Sequence, residues 1–330
     1  MDFSLVQKRI FGIASQAEFN ASALAVFHLQ YTHCPIYNQF IKGLGIDVNE
    51  INHPSQIPFL PVSFFKSHKV YCAEKQEAII FESSTTSGSI PSTHYVAALD
   101  LYKKSFRQSF RQFYGAVEDY IIIGLLPSYL ERQGSSLVYM VNDLIENSGH
   151  TASGFYLYDF AALALKLEDE VRKGLKKVLL IGVGFALLDF IENHPMHLPG
   201  AIIVETGGMK GRRQELIREE LHDRLCKGFG VNLIHSEYGM TELLSQAWSP
   251  GGGVFRCPPW MNVMIRDAND PFCLADFGRT GGINVIDLAN LYSCSFIATD
   301  DLGRMQPDGT FEVLGRFDAS DVRGCSLMVS

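Results

Sequence analysis

The chain predicts an α/β fold built on a largely parallel sheet, followed by a smaller β-rich part, and three observations carry that prediction. Between Ala78 and His235 short β-rich runs alternate with windows long enough for crossover helices. Several runs, Val178-Leu179-Leu180-Ile181 among them, are apolar without alternation, as in strands covered on both faces. Past Pro250 the punctuation changes to Gly- and Asp-rich turns at short spacing, which separate antiparallel strands.

The first 50 residues read as helices, because Ala23, Leu24, Phe27 and Tyr31 recur at helical spacing over Glu18–Tyr31. His53-Pro54 and Ile57-Pro58-Phe59-Leu60-Pro61 then force extended chain. Strands are expected at Ala78–Phe81, Asp119–Leu126, Lys177–Val183, Ala201–Glu205 and Val231–His235. Helices are expected at Asp100–Tyr114, Asp159–Lys173, Phe185–Asn193 and Gly211–Cys226. Beyond Gly251-Gly252-Gly253 follow strands at Asn262–Arg266, Ile283–Asp287, Cys294–Ala298 and Phe311–Leu314. The organisation expected is a helical segment over residues 1–60, an α/β core over 61–250 and a β-rich subdomain over 251–330, within the size of about two domains.

Composition narrows the function classes. Hydrophobic residues make up 47% and charged residues 19%, so burial can offset the entropy of ordering. The net charge of −8 argues against a nucleic-acid binder, which needs a basic face. Seven cysteines, an odd number with no C-x-x-C pair, indicate neither a disulfide framework nor a zinc ribbon. The apolar stretches reach only about ten residues, against roughly 20 for a bilayer span, and the amino terminus has no secretory pattern. A cytoplasmic protein without membrane insertion is expected.

Three segments hold chemistry. Glu82-Ser83-Ser84-Thr85-Thr86-Ser87-Gly88-Ser89 follows a predicted strand and leads towards a helix. Its hydroxyls and backbone N–H groups suit phosphate oxygens, although a plain polar loop has the same composition, and G-x-x-x-x-G-K-[ST] is absent. Ser236-Glu237-Tyr238-Gly239-Met240-Thr241-Glu242 turns out of a buried strand, with a helix expected from Thr241. Thr241 there either caps that helix or donates to an anion, and Glu242 either complements the dipole or offers Mg²⁺ a hard oxygen. Thr299-Asp300-Asp301-Leu302-Gly303-Arg304 and Gly315-Arg316-Phe317-Asp318 supply an acid for ribose hydroxyls and a cation for phosphate, or else ordinary hairpin material.

Taken in order, with Thr206-Gly207-Gly208 between the first and second, these blocks resemble the adenylate-forming superfamily of acyl-CoA synthetases and related ligases. Within it the chain looks most like the LuxE-type acyl-protein synthetases, through Ile57–Lys66, Ser236–Ala247 and Arg323-Gly324-Cys325-Ser326-Leu327. The resemblance runs along nearly the whole chain, and Tyr-Gly-Met-Thr-Glu is its most specific part.

That resemblance implies ATP and Mg²⁺ as cofactors and a carboxylic, fatty acid as substrate, activated as an acyl-adenylate. It implies that Ser83, Ser84, Thr86, Ser87 and Gly88 hold the β- and γ-phosphates. Gly207 and Gly208 would edge the adenine, with the Tyr238 ring on its face beside Gly239. Thr241 would bind the α-phosphate, Glu242 Mg²⁺, Asp301 the ribose hydroxyls and Arg316 ribose or phosphate. The turn at Ile181-Gly182-Val183-Gly184 would border the acyl pocket. Cys325 would accept the acyl group, with a partner carrier thiol or acceptor protein as the other destination.

Two departures weaken the match. Thr85 stands where the superfamily loop has Gly, and Ser92 where it has Lys, which removes conformational freedom and a cation. The mobile C-terminal domain that follows the hinge at Asp318 is expected to be lacking. Two rival readings stay open: a nucleotide- or acyl-binding protein without turnover, and an adenylation subunit completed in trans.

Overall fold

The computed structural model describes residues 2–72, 76–84, 90–127, 134–207 and 216–317. Thr86, Ser87, Gly88, Gly208 and Cys325 lie outside the described residues, as do Thr85 and Asp318. The chain divides into two compact units: Glu77–Pro258, and Met1–Gln76 together with Pro259–Ser330. In chain order the strands run β1 (Leu60–Pro61), β2 (Ile79–Glu82), β3 (Thr93–Val96), β4 (Tyr120–Leu125), β5 (Gly154–Phe155), β6 (Lys177–Val183) and β7 (Ile202–Thr206). There follow β8 (His235–Tyr238), β9 (Ala247–Ser249), β10 (Val254–Phe255), β11 (Met261–Arg266), β12 (Thr280–Asp287), β13 (Phe296–Met305) and β14 (Phe311–Arg316).

In the Glu77–Pro258 unit six strands lie in the order β5-β4-β6-β7-β8-β9. All pairings from β5 to β8 are parallel, and β9 closes the row antiparallel to β8. Every residue of β4 is buried, and so is every residue of β6 after Lys177, which is what their unalternating apolar sequence requires. Helices at Ser136–Ser148, Phe160–Lys173, Gly184–Asn193 and Arg218–Phe229 precede β5, β6, β7 and β8 in turn. Their starts are fixed locally: Ser135 accepts from the Val138 N–H and Asp159 from the Ala162 N–H. At Gly124 on β4 a Cβ would lie 2.6 Å from the Phe155 ring, so the β4–β5 packing requires glycine there.

The Leu99–Tyr114 helix buries Leu101, Tyr102, Phe106 and Phe110 on one face. Two serines on that face meet the β9 region. Ser105 bonds Ser245 at 2.9 Å, and Trp248 Nε1 donates to Ser109 at 3.0 Å. Arg107 on the outer face holds Asp143 with two 2.7 Å bonds. The element is an amphipathic core helix with a basic outer side.

Three local expectations are corrected. The hydroxyl-rich loop after Glu82 leads into strand β3, antiparallel to β2, and the next helix starts only at Leu99. No helix begins at Thr241. Thr241 and Glu242 form a turn that returns the chain as β9, because Trp248 and Ala247 pair with Glu237 and Tyr238. The strand expected at Val231–His235 lies further on, at His235–Tyr238.

In the other unit β11, β12, β13 and β14 form consecutive antiparallel pairs. β13 is long enough to serve two neighbours on one edge: β1 pairs in parallel with Ile297 and Ala298, and β14 with Asp301–Met305. Helices at Gln16–His33 and Pro35–Leu44 pack here through Phe27 and Tyr37, whose rings meet Phe296. The buried Gln30 amide donates to the carbonyls of Asn290 and Leu291, both at 3.0 Å, and accepts from the Ser295 N–H at 2.9 Å. Among the described residues no helix is long and apolar enough to cross a membrane.

Candidate active site

In the parallel sheet, residues at the carboxyl ends of adjacent strands necessarily converge, and ligands of open α/β sheets bind outside those ends. Strand β7 ends at Thr206 and β8 at Tyr238, and Thr206 stands directly opposite Glu237 in the register. Gly207 follows with φ 62°, a left-handed turn that glycine makes without strain. The structure therefore brings Gly207, Tyr238, Gly239, Thr241 and Glu242 to neighbouring strand ends.

The bond that ties these ends is a buried one. Thr206 Oγ1 donates to Glu237 Oε2, and burial, with Glu205 nearby, pushes the Glu237 carboxyl up to about 7 against the Thr206 bond. Glu237 Oε1 reaches beneath Gly239, occupying the space a Cβ would need, with Gln246 Cγ 3.3 Å from the same point. Glu205 is buried as well and has Arg218 at 3.6 Å and His222 at 3.5 Å.

Tyr238 is 8% exposed, its ring meeting Phe255 at 6.0 Å and 66°. The Thr241 backbone is held by His94, a fully buried imidazole on β3 whose Nδ1 lies 2.8 Å from the Thr241 carbonyl oxygen. Glu242 is buried in the turn. Among the described residues no three His, Cys, Asp or Glu side chains group to hold a metal. A single carboxylate suits a magnesium ion that arrives on a triphosphate, since Mg²⁺ takes one or two carboxylates plus phosphate oxygens and keeps waters.

At the mouth of the hydroxyl-rich loop, Ser83 Oγ accepts from the Ser92 N–H at 2.9 Å, and the Ser83 N–H donates to the Ser92 carbonyl at 3.0 Å. These two bonds close the loop at its base. Ser92, the uncharged departure noted from the sequence, is buried. Ser84 is exposed just beyond the clasp.

In the other unit Asp301 and Arg316 are register partners on β13 and β14, with Arg316 Nε 3.6 Å from Asp301 Oδ1. Asp301 is largely buried and Arg316 is 82% exposed, so the acid is enclosed while the cation faces solvent. The Asp301 N–H donates to Thr299 Oγ1 at 3.1 Å. Below them Arg266 donates to the carbonyls of Ile283 and Thr299 and to Asn284 Oδ1, filling space that Gly282 leaves open.

Thr206, Glu237, His94 and Arg266 are the polar groups that motif reasoning missed. Glu237 and Thr206 stand inside the quoted motifs but have no role assigned there, and their one signal is an acid or hydroxyl at the end of an apolar strand. His94 and Arg266 carry no local signal at all, because their partners lie 147 residues away for His94 and 17 to 33 for Arg266.

No protein-family model matches this sequence, and no curated protein matches it. Solved structures do match. 2-Hydroxyisobutyryl-CoA ligase in complex with 2-HIB-AMP and CoA in the thioesterification state has a TM-score of 0.67 at 11% identity, over 94% of this chain and 71% of its own. The open conformation of that ligase gives 0.66 at 10% identity, over 93% and 72%. ATP-bound MatB from Rhodopseudomonas palustris gives 0.53 at 16% identity over 72% of this chain, which spans about half, 47%, of that protein. At such identities the likeness is one of fold, and the fold is that of the adenylate-forming acyl-CoA ligases.

Proposed function

We propose that this protein uses ATP to activate a carboxylic acid, a fatty acid by the resemblance of its motifs, and passes the acyl group to a thiol. The observation that carries the reading is the convergence of Gly207, Tyr238, Gly239, Thr241 and Glu242 at adjoining ends of β7 and β8, in a fold shared with ligases whose structures hold ATP or an acyl-AMP. The acid's carboxylate attacks the α-phosphorus, the bond to the bridging oxygen breaks, and pyrophosphate leaves. A thiolate then attacks the acyl carbon of the mixed anhydride and AMP departs.

Such a reaction needs charge cancellation and alignment more than covalent help from the protein. Thr241 would donate to the α-phosphate from a turn that His94 holds in place. Gly207, exposed after β7, would offer its backbone edge to adenine. Asp301, largely buried, would accept from the ribose hydroxyls, while the exposed Arg316 guanidinium would neutralise phosphate charge. Ser83 and Ser84, with Thr86, Ser87 and Gly88 of the same loop, would donate to the β- and γ-phosphates, and Gly208 would extend the adenine edge. Magnesium, held by Glu242, supplies charge neutralisation at the triphosphate when bound.

The LuxE-type motifs support Cys325 as the acyl acceptor, in cis, with a carrier thiol as the other destination. A thiolate is the nucleophile required, and the sequence sets Arg323 two residues before Cys325. The binding-only alternative draws on one observation: Ser92 is buried where the superfamily places a cation, which weakens the hold on a triphosphate.

Hydroxylamine trapping separates the two. With ATP, Mg²⁺ and fatty acids of graded length, activation gives the acyl hydroxamate and AMP in equal amounts. Nucleotide binding without hydroxamate from any acid supports the binding-only protein and sinks the enzyme. Labelled fatty acid should then attach to wild type and not to Cys325→Ser; equal labelling of both removes Cys325 as acceptor.

A further inference from the structure

We infer that Glu237 is a positioning residue of the nucleotide site, a buried carboxyl that in its neutral form fixes the turns after β7 and β8 in mutual register. The inference rests on the adenylation reading and deepens it by making nucleotide affinity depend on one proton.

Geometry supplies the argument. Glu237 bonds Thr206 across the β7–β8 register, and Thr206 is the residue before the left-handed Gly207. Its other oxygen lies under Gly239, the residue after Tyr238. One side chain thus touches both turns that carry the adenine-contacting positions, without itself reaching the strand-end surface.

The groups around it favour the uncharged acid. Burial is the main cause, and the Glu205 carboxyl of β7 adds to it, while the Thr206 hydroxyl, a donor, pulls the other way without offsetting them. From the segment leading to β9 comes Gln246, whose Oε1 is buried without a hydrogen-bond partner among the described residues, and from β9 itself Trp248. From the Leu99–Tyr114 helix come Tyr102 and Tyr114, whose phenols burial above all, and a charge on Glu237 in addition, would hold protonated. The nearby cations, Arg218 and His222, face Glu205 instead. Among the described residues no cation pairs with Glu237.

Losing the proton therefore leaves an uncompensated charge beneath both turns, in a group that titrates at about 7. That charge also repels a polyanionic nucleotide. Affinity for ATP falls as pH rises through this value, and by linkage ATP binding draws a proton onto Glu237.

Calorimetric titration of ATP into wild type and Glu237→Gln from pH 6 to pH 8 tests this. The ratio of the two Kd values cancels the titration of ATP itself. It should lie near unity at pH 6 and climb to about fivefold at pH 8, as a carboxyl whose pKa rises by roughly one unit on binding requires. Thr206→Val, which removes the donor, should weaken ATP binding across the range. A ratio independent of pH, with wild type binding ATP, overturns the positioning role and leaves the adenylation reading intact. No ATP binding by folded wild type at any pH overturns both. If the Gln variant does not fold, the wild type decides alone: its protonated-carboxyl infrared band near neutral pH should gain intensity when ATP is added, and an unchanged band refutes the inference.

Discussion

Replacing Glu237 with Gln should flatten the pH dependence of stability in a way the structure lets one calculate. In the unfolded chain this carboxyl titrates near its ordinary 4.5, and in the folded protein burial pushes it up to about 7. The folded state then binds the proton more tightly than the unfolded state. Its contribution is fully present below pH 4.5, falls as pH rises through the interval, and stops changing above pH 7. At about 1.4 kcal/mol per pH unit the interval corresponds to a loss on the order of 3 kcal/mol. Glutamine keeps the oxygen that accepts from Thr206 and has no proton to lose. The unfolding free energy of wild type minus that of Glu237→Gln should therefore decline by this amount between pH 4.5 and 7, while contributions common to both proteins cancel. Urea unfolding followed by fluorescence measures it, and the sequence has only two tryptophans. In a Trp260→Phe background the buried Trp248, bonded to Ser109 beside β8, reports on the unit that holds Glu237. Parallel curves for the two proteins across that range would refute the assignment of a raised, buried carboxyl.

Other outcomes follow from the same geometry. Gly239→Ala places a methyl against the Glu237 carboxyl and should destabilise by about 1–3 kcal/mol, read as a lower urea midpoint with unchanged slope. Thr206→Val strips a buried carboxyl of its donor at a cost of about 1–3 kcal/mol and, because that bond lowers the carboxyl's pKa, moves its titration upward. Arg316→Ala should leave thermal stability nearly unchanged, since the side chain is 82% exposed, while acid-dependent hydroxamate formation drops; a large loss of stability with full activity would reverse its role. Asp301→Ala should raise the Kd for ATP at least tenfold, and an unchanged Kd would remove it from the ribose.

Much of the fold is legible because burial on both faces leaves a local trace. Tyr120–Leu125 and Val178–Val183 are runs without a charged or polar interruption, as strands covered on both faces need. The helix at Leu99–Tyr114 shows through the spacing of Leu101, Tyr102, Phe106 and Phe110. Illegible are features fixed by pairing rather than propensity. Thr-Glu after Tyr-Gly-Met looks like a helix start, yet Tyr238 and Glu237 gain cross-strand partners in Ala247 and Trp248, so the chain turns back as β9. The strand Thr93–Val96 is too short to announce itself and exists through its ladder with β2.

The candidate site divides along the same line. The motif residues could be read from sequence, because glycine beside a strand end and a Thr-Glu pair are chemical signatures. Their supports could not. His94 and Gln30 find partners 147 and up to 265 residues away, and Glu237 takes its significance from Thr206, 31 residues earlier. Distance in sequence hides the shell that sets geometry and charge, even where the contacting residues themselves are plain.

Whether these strand ends form an activating site at all is decided most directly by isotope exchange between pyrophosphate and ATP. Label should enter ATP when Mg²⁺ and a suitable carboxylic acid are present, and fall to background when the acid is omitted. Folded protein that shows no acid-dependent exchange with fatty or aryl acids of any length would contradict the formation of an acyl-adenylate here.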